Sequence, residues 1–235
     1  MAGLLFILSA PSGSGKSTLV SQLRSMVPNL DFSVSYTTRA PRGSEQEGRE
    51  YHFIQRDQFQ QMIAGDEFLE HADVFGNYYG TARCSLEQAT ARGNDLLLDI
   101  DVQGAAQVRH NMPQAITIFI LPPNPDVLER RLRNRSRAEG GVEESVVQKR
   151  LATARHEIEK YHEYRYVLVN DVLERAAEEL SAIVIAERSA AHSATNDDPS
   201  TISDLPRYKK LADLCLLLNS ATRLQPVLAS FGLSL

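Results

Sequence analysis

Apolar and polar positions along the chain follow two different periods. Uninterrupted apolar runs, which are typical of buried parallel strands, occur in "LLFIL", "NDLLLDID", "AITIFILPP" and "YRYVLVND". Between them apolar residues recur at helical spacing, as in the segment ending near Met26 and in the Asn-capped "NPDVLERRLRNR". Strands that alternate with helices predict an α/β fold with a parallel sheet that binds its ligand at the carboxyl ends of the strands.

Two segments depart from this alternation. Between Asp31 and about Gly80, the runs "FSVSYTT", "EYHFI" and "FLEHADVF" are short and β-prone, and one helix is predicted at "RDQFQQMIAG". We expect a small inserted β-rich unit there. The Arg- and Gly-rich stretch "RNRSRAEGG" predicts a second interruption, before a helical pattern that runs from about Val142 to Tyr161. A last helix is predicted through Glu187.

The pattern changes again after about Ala190. Residues 190–206 are polar and contain proline, which predicts a linker. Beyond it a short amphipathic segment carries apolar residues at helical spacing, and Pro226 should break it; these residues are Leu211, Leu214, Cys215 and Leu218. A helix packed on the body, a loosely ordered tail and a partner-binding helix are the alternatives.

Composition narrows the class of protein. With 235 residues, 43% of them hydrophobic, the chain can bury one substantial core and a smaller appended unit. A formal charge of −5 argues against a general nucleic-acid binder, which needs a positive excess. Cys84 and Cys215 lie far apart, which predicts a reducing compartment without a disulfide framework or structural zinc. We expect a cytoplasmic protein without a membrane partner, and the oligomeric state stays open.

The stretch "SAPSGSGKST" carries the first candidate chemistry. It joins a predicted strand to a predicted helix, and its glycines let backbone N–H groups turn toward phosphate oxygens at the positive end of the helix dipole. Lys16 can reach the β- and γ-phosphates of a nucleotide, and the Ser17 hydroxyl can bind Mg²⁺. Ala10 stands where the usual G-x-x-x-x-G-K-[ST] pattern has its first glycine. The alternative is an ordinary Ser/Gly turn.

A second anion site is predicted downstream. Arg39 and Arg42 lie three residues apart, and Tyr51 follows on a predicted strand. Guanidinium groups bind phosphate in a bidentate manner, and a phenol adds a neutral hydrogen bond. These three side chains could therefore hold a second phosphate group, although a solvated loop with surface arginines would carry the same residues.

Glu70 indicates which base accompanies that phosphate. It falls on a predicted strand, and Tyr78, Tyr79 and Gly80 follow in a turn. Guanine presents its N1–H and N2–H₂ donors side by side, so the carboxylate of Glu70 could accept from both while the Ser35 hydroxyl serves O6. Adenine would leave that carboxylate unpaired.

At this point the chain resembles the guanylate kinases of bacterial type, which transfer the γ-phosphate of ATP to GMP. The matching pieces are "SAPSGSGKST", "SVSYTTRAPR", "YHF", "FLEHADVFGNYYGT", "LLLDIDVQGA", "RRLRNR" and "KRL", in the family's order over roughly residues 4–188. The resemblance implies a P-loop nucleoside monophosphate kinase fold, with a parallel five-stranded core sheet flanked by helices, an inserted β-rich GMP-binding unit and a helical, Arg-rich lid. It also implies ATP as co-substrate and Mg²⁺.

The resemblance also implies roles for individual residues. The ATP-binding residues would be Ala10, Pro11, Ser12, Gly13, Ser14, Gly15, Lys16, Ser17, Thr18 and Asn170, with Asn170 near adenine. The GMP-binding residues would be Ser35, Arg39, Arg42, Tyr51, Glu70, Tyr79, Thr81, Asp99 and Asp101. The two aspartates would join the nucleotide–Mg²⁺ network. Catalytic charge would come from Lys16, Arg39, Arg131, Arg135 and Arg150, and Ser17 would contact Mg²⁺.

The expected organisation follows from these assignments. The core would comprise residues 1–30, 81–130 and 151–189, the GMP-binding unit 31–80, the lid 131–150, and a linker and tail of unassigned role 190–235. Where many members have Pro-Gly-Glu after the second GMP arginine, this chain has Gly43, Ser44 and Glu45, and its lid, which contains Arg137, is longer. A kinase of another nucleoside monophosphate and a non-catalytic binding module on this fold are the alternative functions.

Overall fold

Short strands and longer helices alternate along the chain. The computed structural model describes residues 3–74, 76–138, 141, 143–193 and 204–234. Within them the strands are β1 (Leu5–Ser9), β2 (Leu30–Phe32), β3 (Tyr36–Thr37), β4 (His52–Phe53), β5 (Phe68–Val74), β6 (Asn77–Ala82), β7 (Asp95–Asp99), β8 (Ile116–Leu121) and β9 (Tyr166–Val169). The helices are α1 (Lys16–Met26), α2 (Arg56–Ala64), α3 (Arg83–Arg92), α4 (Val102–Asn111), α5 (Pro125–Ala138), α6 (Glu144–Ile158), α7 (Leu173–Ser193), α8 (Leu205–Cys215) and α9 (Ala221–Ser230). Single 3₁₀ turns occupy Glu159–Glu163 and Leu217–Asn219.

Five of the strands form the main sheet, in the order β2-β7-β1-β8-β9. The pairs β1–β7, β2–β7 and β8–β9 are parallel. All residues of β1, β8 and β9 are buried, as expected for parallel strands covered on both faces. The α/β fold with a parallel five-stranded sheet is therefore confirmed.

The chain divides into two units, which we describe separately. Unit 1 comprises Met1–Ser9 and Asn29–Thr117, and unit 2 comprises Ala10–Pro28 and Ile118–Leu235. The β-rich segment expected at 31–80 falls in unit 1. The lid expected at 131–150 falls in unit 2, and its residues 139, 140 and 142 lie outside the described residues.

Unit 1 contains a second sheet of four short strands, in the order β4-β3-β6-β5. Its apolar core is formed by Phe59 and Met62 of α2 and by Phe68 of β5, and the rings of Phe59 and Phe68 stack with 4.5 Å between their centroids. The strand β2 pairs with β7 in the main sheet instead. The β-rich sheet thus begins at Tyr36, a few residues later than the sequence pattern suggests.

Two helices in the middle of the chain differ from the sequence-based expectation: α3 is not predicted, and α5 is longer than predicted. The sequence pattern does not predict α3, because Ala89 is its one buried residue and no apolar stripe marks it. The helix α5 continues to Ala138, through the Arg-rich stretch where a break is predicted. Arginine is a good helix former, and an ion pair of 2.7 Å between Arg133 and Glu129, four residues apart, supports the helix there.

The C-terminal segment also differs from expectation. The helix α7 runs to Ser193, so the predicted linker 190–206 begins as helix, and its residues 194–203 lie outside the described residues. Pro226 lies inside α9 instead of breaking the segment. Proline removes one backbone hydrogen bond, but Leu224 and Leu228 on either side are fully buried, and this burial favours a continuous helix.

The helices α8 and α9 pack within unit 2, which confirms the first of the three alternatives for the tail. The helix α8 lies against α7 and β9. Just after α8, Leu216 forms an antiparallel bridge with Tyr166, and the N–H of Leu217 donates to the carbonyl of Arg165 at 2.9 Å. Ala212 and Cys215 are buried. The tail is therefore an integral part of unit 2.

A partly buried ion pair connects α9 to α7. Arg223 of α9 donates from Nη1 to Oε1 of Glu179 on α7 at 2.7 Å, and from Nη2 to the carbonyl of Val167 at 2.9 Å and to Sγ of Cys215 at 3.5 Å. Burial raises the pKa of Glu179, an effect that the Arg223 charge opposes. Burial also raises the pKa of the Cys215 thiol to about 12. Removing either charge would leave its partner uncompensated.

We therefore expect Arg223→Ala to lower the free energy of unfolding by roughly 3 kcal/mol, the lower end for breaking a buried pair, because the Arg223 side chain is 31% exposed. Urea unfolding measures the change. The matched control is Arg207→Ala, which removes an exposed ion pair between α8 and Glu178 of α7 and should cost less than about 1 kcal/mol. Equal losses for both variants would contradict this account.

Candidate active site

The phosphate loop of unit 2 is a tight turn that leads into a helix. Ser14 N–H donates to the carbonyl of Pro11 at 3.1 Å, and Gly13 and Gly15 adopt φ values of +89° and +84°, which L side chains rarely adopt. Gly15 is the N-cap of α1, and the first turn of that helix contains no acidic residue. The positive end of the helix dipole is therefore unopposed there, as an anion site requires.

The first turn of α1 carries the residues expected to meet the nucleotide phosphates. Lys16 is its first residue, and Ser17 and Thr18 follow with exposed side chains. The loop before them includes Ala10, Pro11 and Ser12, of which Ser12 is exposed. On the opposite face Leu19, Val20 and Leu23 are buried, which fixes the helix and the direction of its N-terminus.

Two distant side chains hold this loop by its backbone. The amide Nδ2 of Asn170 donates to the carbonyl of Ser14 at 2.7 Å, and Arg131 Nη1 donates to the same oxygen at 3.2 Å. Arg131 Nη2 donates to the Asn170 carbonyl at 3.2 Å, which closes the network. A side chain on Gly15 would lie 2.5 Å from Asn170 Nδ2. Asn170, which the resemblance places near adenine, thus lies against the phosphate loop and is 4% exposed.

The predicted lid arginines lie on two helices of unit 2. Arg131 and Arg135 are on α5, and Arg150 is on α6, where its Nη1 donates to Ser136 Oγ at 3.3 Å. Arg133 joins these helices through bidentate contacts of 2.6 and 2.7 Å with Glu144, and this pairing holds the pKa of Glu144 at about 2. Arg135 is exposed.

In unit 1 the predicted phosphate-binding side chains meet around Arg39. Its Nε donates to the Tyr79 hydroxyl at 3.2 Å, and its guanidinium carbon lies 5.3 Å from the centre of the Tyr51 ring. The rings of Tyr51 and Tyr79 contact edge to face at 5.7 Å. Burial, with the nearby charge of Asp99, raises the pKa of Tyr51 to about 12. Tyr51 is therefore a hydrogen-bond donor at neutral pH.

Glu45 organises this cluster and was not among the predicted site residues. Its carboxylate accepts from Arg39 Nη1 at 2.9 Å and Nη2 at 3.1 Å, and its Oε2 also accepts from the backbone N–H of Arg42 at 2.8 Å. Burial raises the pKa of Glu45, but the hydrogen bonds and charges of Arg39 and Arg42 together lower it overall. The sequence feature that could have indicated Glu45 is its regular spacing, because Arg39, Arg42 and Glu45 are each three residues apart.

Thr37 is a second residue that the sequence did not single out. It is fully buried, and its Oγ1 donates to the Tyr78 carbonyl at 3.0 Å and accepts from the Arg39 backbone N–H at 3.2 Å. It therefore fixes the backbone from which Arg39 extends. A threonine in "SYTTR" carries no sequence signal that separates this role from an ordinary strand position.

Glu70 lies on β5, buried among polar and apolar groups. Its Oε1 accepts from Thr81 Oγ1 at 2.6 Å, and 4% of the residue is exposed. Burial raises the pKa of Glu70 to about 7, with the hydrogen bond from Thr81 opposing the change and the charge of Asp101 adding to it. A carboxylate in this environment gains strongly from additional hydrogen-bond donors.

The remaining predicted residues of this set also lie in unit 1. Ser35 is buried at 9% exposure, and Arg42 has an exposed side chain. Asp99 ends β7, whereas Asp101 is the N-cap of α4 and accepts from the Gly104 N–H at 2.8 Å. Because the chain turns between the two aspartates, they do not simply face opposite sides of a strand.

Comparisons with known proteins identify the family of the chain. The guanylate kinase family model matches residues 3–187. A guanylate kinase of Koribacter versatilis is 53% identical over 232 residues, covering 98% of this chain and 97% of that protein. A guanylate kinase of Escherichia coli K12 is 51% identical over 188 residues, covering 79% and 89% respectively.

A solved structure gives the same result for the fold. The crystal structure of guanylate kinase from Anaplasma phagocytophilum superimposes with a TM-score of 0.65 at 34% sequence identity, covering 84% of this chain and 97% of that one. The matched family region ends before α8, so the tail lies outside it. The chain belongs to the guanylate kinase family.

Proposed function

We propose that this protein transfers the γ-phosphate of ATP to GMP, giving ADP and GDP. The observation that carries the choice of acceptor is the buried carboxylate of Glu70, held by Thr81. The N1–H and N2–H₂ donors of guanine would both meet this carboxylate, while Ser35 would serve O6. The corresponding edge of adenine would leave the carboxylate unpaired, at a cost in binding free energy.

The GMP phosphate is assigned to the cluster around Arg39. Arg39 and Arg42 would supply charge, and the hydroxyls of Tyr51 and Tyr79 would supply neutral hydrogen bonds. Glu45 already orients the guanidinium of Arg39 through two contacts, so little side-chain entropy remains to be lost when phosphate binds. This arrangement supports the role of Arg39 in aiming the acceptor oxygen.

ATP is assigned to the phosphate loop and to α1. The remaining backbone N–H groups of the loop Ala10–Ser17 and the Lys16 ammonium would surround the β- and γ-phosphates, with Thr18 behind them; Pro11 has no N–H, and the Ser14 N–H donates within the loop. Arg131, Arg135 and Arg150 would neutralise charge on the phosphoryl group as it moves. Asn170 would keep the loop in shape through its bond to Ser14 and would lie near adenine.

Mg²⁺ accompanies ATP in this proposal. No cluster of three or more acidic, histidine or cysteine side chains suited to a metal is present among the described residues. Mg²⁺ takes oxygen ligands, keeps several waters and binds mainly to substrate phosphates with few protein ligands, so a hydroxyl with nearby carboxylates suits it. The exposed Ser17 hydroxyl would contact it, and Asp99 and Asp101 would join the surrounding network. When bound, Mg²⁺ neutralises charge on the β- and γ-phosphate oxygens.

The protein's contribution to the reaction is positioning and electrostatic stabilisation. Phosphoryl transfer passes through a loose transition state with charge on the equatorial oxygens, so neither a covalent intermediate nor a strong general base is required. Lys16 and the lid arginines would stabilise that charge, and Arg39, Arg42 and Tyr51 would hold the GMP oxygen in line.

The proposed partners are the small molecules GMP and ATP, without nucleic acid, and the proposed location is the cytoplasm. Cys84 and Cys215 are free thiols, which suits a reducing compartment. None of the helices in the described ranges has the length and apolar character that crossing a bilayer requires.

The test is a comparison of acceptors. With ATP and Mg²⁺ present, ADP formation is measured with GMP, dGMP, AMP and UMP, and we expect kcat/KM to be highest for a guanine nucleotide. A preference for AMP or UMP would favour the kinase of another nucleoside monophosphate. Binding of GMP without turnover would favour the non-catalytic binding module.

A further inference from the structure

A glycine occupies the first turn of α4, where a helix gains nothing from it. Gly104 is the third residue of this helix, and its N–H donates to Oδ1 of the N-cap Asp101 at 2.8 Å. It has no positive φ that would require glycine. Glycine at such a position destabilises a helix by roughly 1 kcal/mol relative to alanine, so another constraint must favour it.

That constraint is the carboxylate of Glu70. A Cβ atom on Gly104 would lie 2.2 Å from Glu70 Oε2 and 2.8 Å from Glu70 Cδ. Both distances are shorter than real Cβ contacts, so the carboxylate would have to move. The Glu70 carboxylate therefore occupies the space that a side chain at position 104 would fill.

Glu70 cannot move without losing a bond. Its Oε1 accepts from Thr81 Oγ1 at 2.6 Å, and its Oε2 lies in the space that a Cβ on Gly104 would need. The residue is 4% exposed, which leaves little room for another rotamer. Gly104 and Thr81 together therefore define where the carboxylate lies.

We propose that Gly104 is a positioning residue for recognition of the guanine base: by lacking a side chain, it lets the Glu70 carboxylate lie against the first turn of α4, where it can accept from N1–H and N2–H₂. This inference rests on the proposed function, in which Glu70 binds the base. The opposing explanation is that Gly104 serves only close packing of α4 on β5, which are in contact.

The two explanations predict different results for Gly104→Ala. If the glycine positions Glu70, kcat/KM for GMP falls about 10- to 100-fold, mainly through KM, because a misplaced contact of about 1 Å costs that much. The KM for ATP stays near the parent value, and IMP, which lacks N2–H₂, loses less than GMP. If the glycine serves packing alone, GMP and IMP lose equally.

The matched control is Ala106→Ser, which adds one side-chain atom at an exposed position on the same helix and should leave all these quantities near the parent values. A double-mutant cycle with Glu70→Asp tests the contact itself, since the shorter acid withdraws from the space of a Cβ at position 104. We expect Glu70→Asp to cost less in the Gly104→Ala background than in the parent. Losses that simply multiply would overturn the proposal.

The outcomes separate this inference from the proposed function. If the parent does not prefer GMP among the acceptors, the proposed function fails. If the parent prefers GMP but Gly104→Ala retains parental kcat/KM, the positioning role fails alone. Should Gly104→Ala not fold, recovery of folding in Gly104→Ala/Glu70→Asp would support the contact, and failure to recover would overturn it.

Discussion

Glu70→Gln is expected to lower kcat/KM for GMP by about 30- to 1,000-fold, equivalent to roughly 2–4 kcal/mol. Glutamine keeps the shape of the side chain, but it removes a charged acceptor and turns an NH₂ group toward a guanine donor. ATP binding should barely change. IMP should be a poor substrate of the parent and should lose less on substitution, so discrimination between GMP and IMP should narrow.

Glu70→Gln should also remove a pH dependence of kcat/KM for GMP that the parent protein shows. Because burial raises the pKa of Glu70 to about 7, kcat/KM of the parent for GMP should rise with pH through that value, as the carboxylate ionises and becomes an acceptor. Glu70→Gln should lack this rise. In the ligand-free protein a raised pKa contributes stability that is present below about 4.5, the ordinary pKa, and is lost as pH rises through about 7.

Unfolding measurements check the stability effect independently of activity. Between pH 4.5 and 7 the parent should become less stable relative to Glu70→Gln, by up to about 3 kcal/mol. Glu67→Gln, an exposed position nearby on the chain, is the control and should show neither effect. A Gln variant that phosphorylates GMP as well as the parent would show that Glu70 does not bind the acceptor base.

Lys16→Met is expected to reduce kcat by about 10²-fold or more, because it removes a preorganised positive charge beside the transferring phosphoryl group. Folding should survive, since α1 is held by Leu19 and Leu23 on its buried face and Lys16 is partly exposed.

Steady-state kinetics of the purified variant, together with its circular dichroism spectrum, measure both expectations. Lys209→Met is the matched control, because it removes an exposed lysine from α8, outside the family region. Near-normal turnover by a folded Lys16→Met protein would remove Lys16 from the proposed catalytic groups.

Four strands of the main sheet could be predicted from sequence because they are continuous apolar runs, whereas the short, partly exposed β2 could not be assigned to that sheet. The strands β1, β8 and β9 are buried along their whole length, so the apolar pattern of the sequence matches the buried positions of the structure. The helix α3 could not be predicted, because a helix with one buried residue has no apolar stripe. The course of α9 through Pro226 depends on tertiary burial of Leu224 and Leu228, which a local rule about proline does not include.

The candidate site was predictable where a residue type implies its chemistry. Lys16, Arg39 and Glu70 carry charges whose spacing and context suggest phosphate and guanine. Glu45 and Gly104 act through other side chains instead: one orients Arg39 and the other leaves space for Glu70. Such supporting roles depend on three-dimensional contacts, and a sequence pattern does not contain those contacts.

The bridge between Leu216 and Tyr166 has a consequence for the behaviour of the protein at high concentration. The strand β9 is at one end of the main sheet, and an uncovered outer strand offers unpaired backbone groups to other molecules. Leu216 and Leu217 occupy part of that edge with hydrogen bonds from the same chain. A protein shortened before α8 would lose this cover, and we expect it to self-associate by strand pairing along β9.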